Sequence, residues 1–176
     1  ALATAATLTA AQAASIGRLE VAAAVAAPAA AAEVPAPVSA PSLRGPIIGG
    51  RISSSFGALR PKLSATPHRG IDLVAARGTP VRSPAAGRVL SAEASYSLAP
   101  NYGTVVVIDH GDGWHTLYAH LDSFAVTVGE TVQAGDTLGT VGSTGVATGP
   151  HVHVEVHRDG QRVDPAQVIE DIVVAR

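Results

Sequence analysis

GTVVVIDHGDGWHTLYAHL, residues 103–121, reads as two strands joined by a tight hairpin. Thr104–Asp109 and Trp114–Leu121 are rich in β-branched and aromatic residues, and Asp112-Gly113 between them is a dipeptide suited to the positive φ angles of a hairpin turn. The same texture extends outward from Arg51. Short apolar runs at Arg51–Ser55, Thr79–Arg82, Gly87–Ala94, Thr137–Val141 and His151–His157 alternate with turn signals such as Ala134-Gly135-Asp136 and Asp159-Gly160. No window has a sustained helical period. The pattern predicts an all-β, mostly antiparallel domain over 51–170, with one long loop, Phe56–Pro67, ahead of its first histidine.

Composition narrows the chemistry. The 176-residue chain has a formal charge of −2 and no concentration of Lys or Arg, which argues against a nucleic-acid partner. It has no cysteine, so any metal must be held by His, Asp or Glu. Aromatics make up only 3%, which leaves Val, Ile, Leu and Ala to fill the core.

Upstream of Arg51 the texture differs. Residues 1–26 are alanine-rich and free of proline, which predicts a helix. Residues 27–50 carry Pro28, Pro35, Pro37, Pro41 and Pro46 and read as an extended linker, while 171–176 reads as a short tail. The run Val21–Ala32 is broken by Pro28 and too short to span a bilayer. With no initiator Met and no basic leader, the chain is expected to be a mature product or a fragment.

All seven histidines fall inside the β-domain. His68 and Asp72 are four residues apart in His68-Arg69-Gly70-Ile71-Asp72, where Gly70 permits a bend that lets them converge. His151 and His153 are separated by one residue and so share a strand face. His120 ends the strand Trp114–Leu121. Two imidazoles and a carboxylate with a fourth position open is the ligand logic of a catalytic zinc site, and the two remaining histidines would be free for proton handling. An isolated HxxxD or HxH arises often by chance. Their joint occurrence in one cysteine-free domain is much harder to dismiss. His110, in the hairpin, His115, expected to face opposite His120 because their separation is odd, and His157, beyond the pair, are read as solvated surface residues.

These residues carry a resemblance. Ile52–Gly57, His68–Asp72, Gly103–Ile108, Thr116–Leu121, Thr148–Val156 and Val163–Pro165 together resemble the lysostaphin- and LytM-like zinc metallopeptidases of the M23 family, with every motif present in order. The resemblance implies a lysostaphin/LytM-type β-sandwich and hydrolysis of peptide cross-links in bacterial peptidoglycan, in cell-wall remodelling or division. It implies that His68, Asp72 and His153 hold zinc and that His120 and His151 are the catalytic histidines. No HExxH glutamate is present, so an imidazole must handle the proton. The Phe56–Pro67 segment and the Ser95–Asn101 insertion depart from compact members. The expected location is the cell envelope, secreted or periplasmic, in a Gram-negative organism.

Two rival classes share some of these features. Val128–Gly139 also resembles lipoyl- and biotinyl-type carrier hairpins, but a carrier needs a lysine at a hairpin tip and the only lysine, Lys62, lies far upstream. A non-enzymatic wall-binding module, or an activator of other wall hydrolases, is the stronger rival, since the family includes members that have lost ligands. The N-terminal extension, whose only carboxylates are Glu20 and Glu33, is expected to act as a spacer or as a docking element for divisome or envelope proteins.

Overall fold

The computed structural model describes residues 41–45, 47–61 and 66–172. The helix expected over 1–26, most of the expected linker, Lys62 and the last four residues lie outside them. Among the described residues ten strands form in chain order: β1 Arg51–Ser54, β2 Ile71–Val74, β3 Pro80–Arg82, β4 Gly87–Glu93, β5 Thr104–Gly111, β6 Trp114–Phe124, β7 Thr131–Val132, β8 Thr137–Val141, β9 His151–Arg158 and β10 Gln161–Val163. A single-turn helix, α1 Pro165–Val168, follows, capped by the Asp164 carboxylate, which accepts from the Ala166 N–H. Every strand pairing is antiparallel. The main order is β1-β2-β9-β6-β5-β4-β7, with β10 beside β9 and a β3–β8 branch joined to the far end of β6. Val81 of β3 and Leu138 and Val141 of β8 pack into the same core as the main sheet, so the branch forms a second layer over it.

Alternation along each strand separates two environments. On one face Ile71, Leu73, Val106, Ile108, Tyr118, Val152, Val154 and Val156 are buried in the main core. Burying each such aliphatic side chain stabilises the fold by about 1.5–3 kcal/mol. The other face carries Asp72, His151, His153, Glu155 and His157, and beside them a small apolar cluster of Val105, Leu117 and Ala119 covered by Tyr96 and Tyr102. The two tyrosines come from the β4–β5 connection, where Pro100–Tyr102 forms a 3-10 turn. The Ser95–Asn101 insertion therefore helps to wall the polar face.

Three strands escaped the sequence reading. β2, β7 and β10 are two to four residues long, too short for a period to show. The domain edges also differ. Leu43, Ile47 and Ile48, read as linker, are buried in the core, as is Ile172 from the expected tail. Their backbones are tied down: the Arg44 N–H donates to the Pro84 carbonyl at 2.9 Å, Arg82 N–H to Ile47 at 2.8 Å and Glu170 N–H to Leu43 at 3.0 Å. Pro41 and Pro46 made this stretch look like a spacer, but three large aliphatics that alternation alone could not assign complete the core.

Candidate metal centre and cleft

β2 lies antiparallel to β9 with Asp72 directly opposite His153, so both side chains leave the sheet on the same side. Gly70 lets the chain reach this register, since a Cβ there would sit 2.1 Å from the Val154 carbonyl oxygen. Upstream, the loop after Phe56 doubles back: Gly57 N–H donates to the His68 carbonyl at 2.8 Å and His68 N–H to Ala58 at 3.0 Å. His68 is thereby swung over β2. Strand pairing and this clasp, rather than a bend at Gly70 alone, bring His68 and Asp72 together.

Three donor atoms converge. Asp72 Oδ1 lies 2.9 Å from His153 Nδ1 and 3.1 Å from His68 Nε2, and the two ring nitrogens are 3.0 Å apart. All three residues are buried, and they form a group able to hold a metal ion. Their remaining polar atoms are engaged. His68 Nδ1 donates to the Ser55 carbonyl at 3.0 Å, and His153 Nε2 lies 3.2 Å from Glu155 Oε1. Arg60 Nη1 donates to Asp72 Oδ2 at 2.7 Å. Each imidazole is thus oriented with one nitrogen toward the common point, the arrangement that fixes metal-binding histidines. Burial opposes ionisation of Asp72, but hydrogen bonds from His153 and His68 outweigh it and hold the carboxyl well below the usual carboxylate range. For His153 burial disfavours the charge, and bonding to Asp72 and Glu155 reverses the direction and raises its pKa.

His120 reaches the same cleft through a break in the alternation. β5 and β6 pair Val106 with Tyr118 and Thr104 with Leu121, leaving one extra residue in β6. At this bulge His120 adopts φ +61°, the left-handed region that non-glycine residues rarely occupy. Ala119 packs on the polar side and Leu121 in the main core, so the bulge turns His120 to the cleft. Thr144 holds the kink: its carbonyl accepts from His120 Nδ1 at 2.8 Å, and its hydroxyl donates to the Leu121 carbonyl at 2.8 Å. Backbone strain of this kind clusters at functional sites. The His120 and His151 rings lie 4.7 Å apart. His151 Nδ1 donates to the Gly149 carbonyl at 2.8 Å, so both rings leave Nε2 free of backbone bonds. Burial pushes the His120 pKa down to about 4, which keeps its ring neutral at neutral pH.

The other histidines depart from the sequence reading. His110 is buried, not solvated, with Nδ1 donating to the Ala86 carbonyl and Nε2 accepting from the Thr116 hydroxyl, each at 2.8 Å. His157 is half-buried, 2.8 Å from Glu155 Oε2. His115 pairs across from His157 and so shares the polar face with His120, because the bulge inverts the parity that would have separated them. Sequence reasoning also missed Arg60, Tyr102, Thr144 and Glu155. Of these only Glu155 carried a signal, its even spacing from His151 and His153.

A cleft of about 930 Å³ opens at the cluster, lined among others by Arg60, Arg69, Tyr102, Val146 and Thr148. Tyr102 stands with its ring 5.4 Å from His153 and 6.4 Å from His120. Burial, reinforced by its bond to Glu155, raises its pKa to about 12, so it remains a hydroxyl donor.

The model of peptidase family M23 matches residues 66–165, a span that contains His68, Asp72, His120, His151 and His153. The chain belongs to peptidase family M23. This M23 chain is 44% identical over 125 residues to the DD-carboxypeptidase/endopeptidase Mpg of Neisseria meningitidis, which covers 70% of the chain but 28% of Mpg. It therefore spans less than a third of that relative's length. The catalytic domain of the antimicrobial peptidase lysostaphin from Staphylococcus simulans superposes with a TM-score of 0.61 at 28% identity, over 67% of this chain and 90% of that one. A zinc-containing peptidase from Vibrio cholerae gives a TM-score of 0.59 at 34% identity, over 65% and 35% of the two chains. The mostly antiparallel lysostaphin-like architecture expected from the sequence is the one observed.

Proposed function

We propose that this M23 domain is a zinc-dependent endopeptidase that hydrolyses peptide cross-links in bacterial peptidoglycan, with His68, Asp72 and His153 as zinc ligands and His120 and His151 as catalytic histidines. One observation carries the reading: the three converging donors share a cleft with two imidazoles, each pinned through Nδ1 to a backbone carbonyl. Two imidazole nitrogens and a carboxylate oxygen, without thiolates, suit a catalytic zinc site with an open position. Zinc bound there supplies Lewis acidity to the scissile carbonyl and to the attacking water. The protein residues divide the remaining work. Asp72 stays ionised, and Arg60 occupies its second oxygen. His120, neutral and locked in the tautomer protonated at Nδ1, presents a lone pair at Nε2. With His151 beside it, the pair handles the proton and steadies the oxyanion.

The charge of the cleft supports a wall-peptide substrate. Among the described residues lining it, Asp72 is the only carboxylate, while Arg60 and Arg69 add positive charge. Such a surface favours a peptide that itself carries carboxylates, as peptidoglycan stem peptides do. Those cross-links lie outside the cytoplasm, so the reading carries with it a cell-envelope location, secreted or periplasmic, and the likeness to Mpg of Neisseria meningitidis supports a Gram-negative organism. Among the described residues no helix is long and apolar enough to cross a membrane. The extension before residue 41 would then serve as spacer or as docking element for envelope or divisome proteins.

The test is zinc content of the purified protein together with release of cleaved cross-linked muropeptides from purified sacculi. About one zinc per chain and chelator-sensitive release are expected. Zinc well below stoichiometry, with no gain on adding it and no release, would leave the wall-binding or activator reading in its place.

A further inference from the structure

Glu155 is fully buried, yet it sits at the meeting point of four polar side chains. Its Oε1 accepts from the Tyr102 hydroxyl and lies 3.2 Å from His153 Nε2. Its Oε2 lies 2.8 Å from both His157 Nε2 and Arg162 Nε. A carboxylate withdrawn from water is tolerated only when its oxygens are fully engaged, as they are here. The partners come from separate parts of the chain: the β4–β5 connection, β9 itself and β10. This is more structure than a salt bridge on a strand requires, and one arm of it ends on a candidate ligand.

We propose that Glu155 is a positioning residue that holds His153 in the tautomer protonated at Nε2, so that its Nδ1 lone pair is delivered to the metal, while its bond to Tyr102 ties the cleft wall to that ligand. The ring of His153 has two nitrogens, and only one can face Asp72 and His68. A carboxylate at Nε2 accepts a hydrogen bond from the ring N–H there, so that the neutral ring, the form that binds a metal, keeps its lone pair at Nδ1. Losing such a partner typically weakens metal affinity 10–100-fold. Glutamine cannot reproduce the pattern, because its amide NH₂ would face a donor where a carboxylate oxygen now accepts.

The inference rests on the metal reading above, and the test keeps the two apart. Zinc dissociation constants are measured by chelator competition for the wild type, Glu155→Gln and Tyr102→Phe, with visible spectra of the cobalt-substituted proteins. Glu155→Gln should weaken zinc binding 10–100-fold and alter the cobalt bands, with Tyr102→Phe shifting both in the same direction by less. Leu73→Ala serves as a control that lowers melting temperature without changing affinity. A folded Glu155→Gln with wild-type zinc affinity and an unchanged cobalt spectrum would overturn the proposal. Should that variant fail to fold, Tyr102→Phe decides by the same two readouts. A wild type that binds no zinc would instead overturn the metal reading itself.

Discussion

The two faces of β9 show what alternation can be made to do. Val152, Val154 and Val156 face the main core, while His151, His153, Glu155 and His157 on the same strand face the cleft side. At its centre the polar face is as dry as the apolar one: Glu155 is 0% exposed and His153 5%, while His151 and His157 on either side are partly exposed. The apolar side is held by shape and loss of water contact, which many residues could provide. The polar side is held by matched donors and acceptors, so that removing one partner strands another. The first face supplies stability and the second carries the candidate metal and cleft residues, and substitution should separate them.

The largest separation should appear at neighbouring positions on β2. Asp72→Ala should abolish zinc retention and reduce hydrolysis to background, measured by metal analysis and muropeptide release. A variant with full zinc and normal activity would break the division between the faces at its most important residue.

Next in size is the loss of a cleft imidazole that is not among the three converging donors. His120→Ala should retain zinc but lose hydrolysis by a factor on the order of 10²–10⁴. Loss of zinc from this variant would move His120 into the ligand set.

Leu73, beside Asp72 but facing the core and fully buried, tests the other face. Leu73→Ala should cost about 2–5 kcal/mol of stability in denaturant titrations, while the folded fraction binds zinc as the wild type does. A matching drop in zinc affinity would show that the faces are mechanically coupled.

The smallest effect concerns His110, a polar side chain buried on the apolar side with its pKa lowered by burial. A histidine whose folded pKa lies below its unfolded value of about 6.5 contributes stability above that pH and loses it as pH falls. His110→Gln should therefore melt with a shallower decline in Tm between pH 7 and pH 5 in the metal-free protein. An unchanged slope would show that His110 does not contribute to the acid sensitivity.

Much of the site was legible because its signals are local. The pair His151 and His153 needs only strand parity, and the spacing of His68 and Asp72 marks them as a pair to be tested together. Parity failed at His120, since a bulge is set by pairing with β5 and β8 rather than by the order Tyr118-Ala119-His120-Leu121. Arg60 and Tyr102 left no local mark, because each comes from an irregular segment whose path is set by what it folds back upon. Leu43, Ile47 and Ile48 were hidden by the prolines around them, and their burial depends on contacts with residues near 82, 170 and 172.

The sequence by itself determined the all-β class, the main antiparallel strands and the set of His68, Asp72, His120, His151 and His153 as candidates. Strand period, turn chemistry and residue type act over a few neighbouring positions and survive without knowledge of the fold. The tertiary structure alone decided that His115 and His120 share a face, that Glu155 joins His153 to Tyr102, and that the packed domain begins upstream of Arg51. These features arise from contacts between residues distant in the chain, where register, bulges and the closing of the core are settled by packing and by the need to pair every buried polar group.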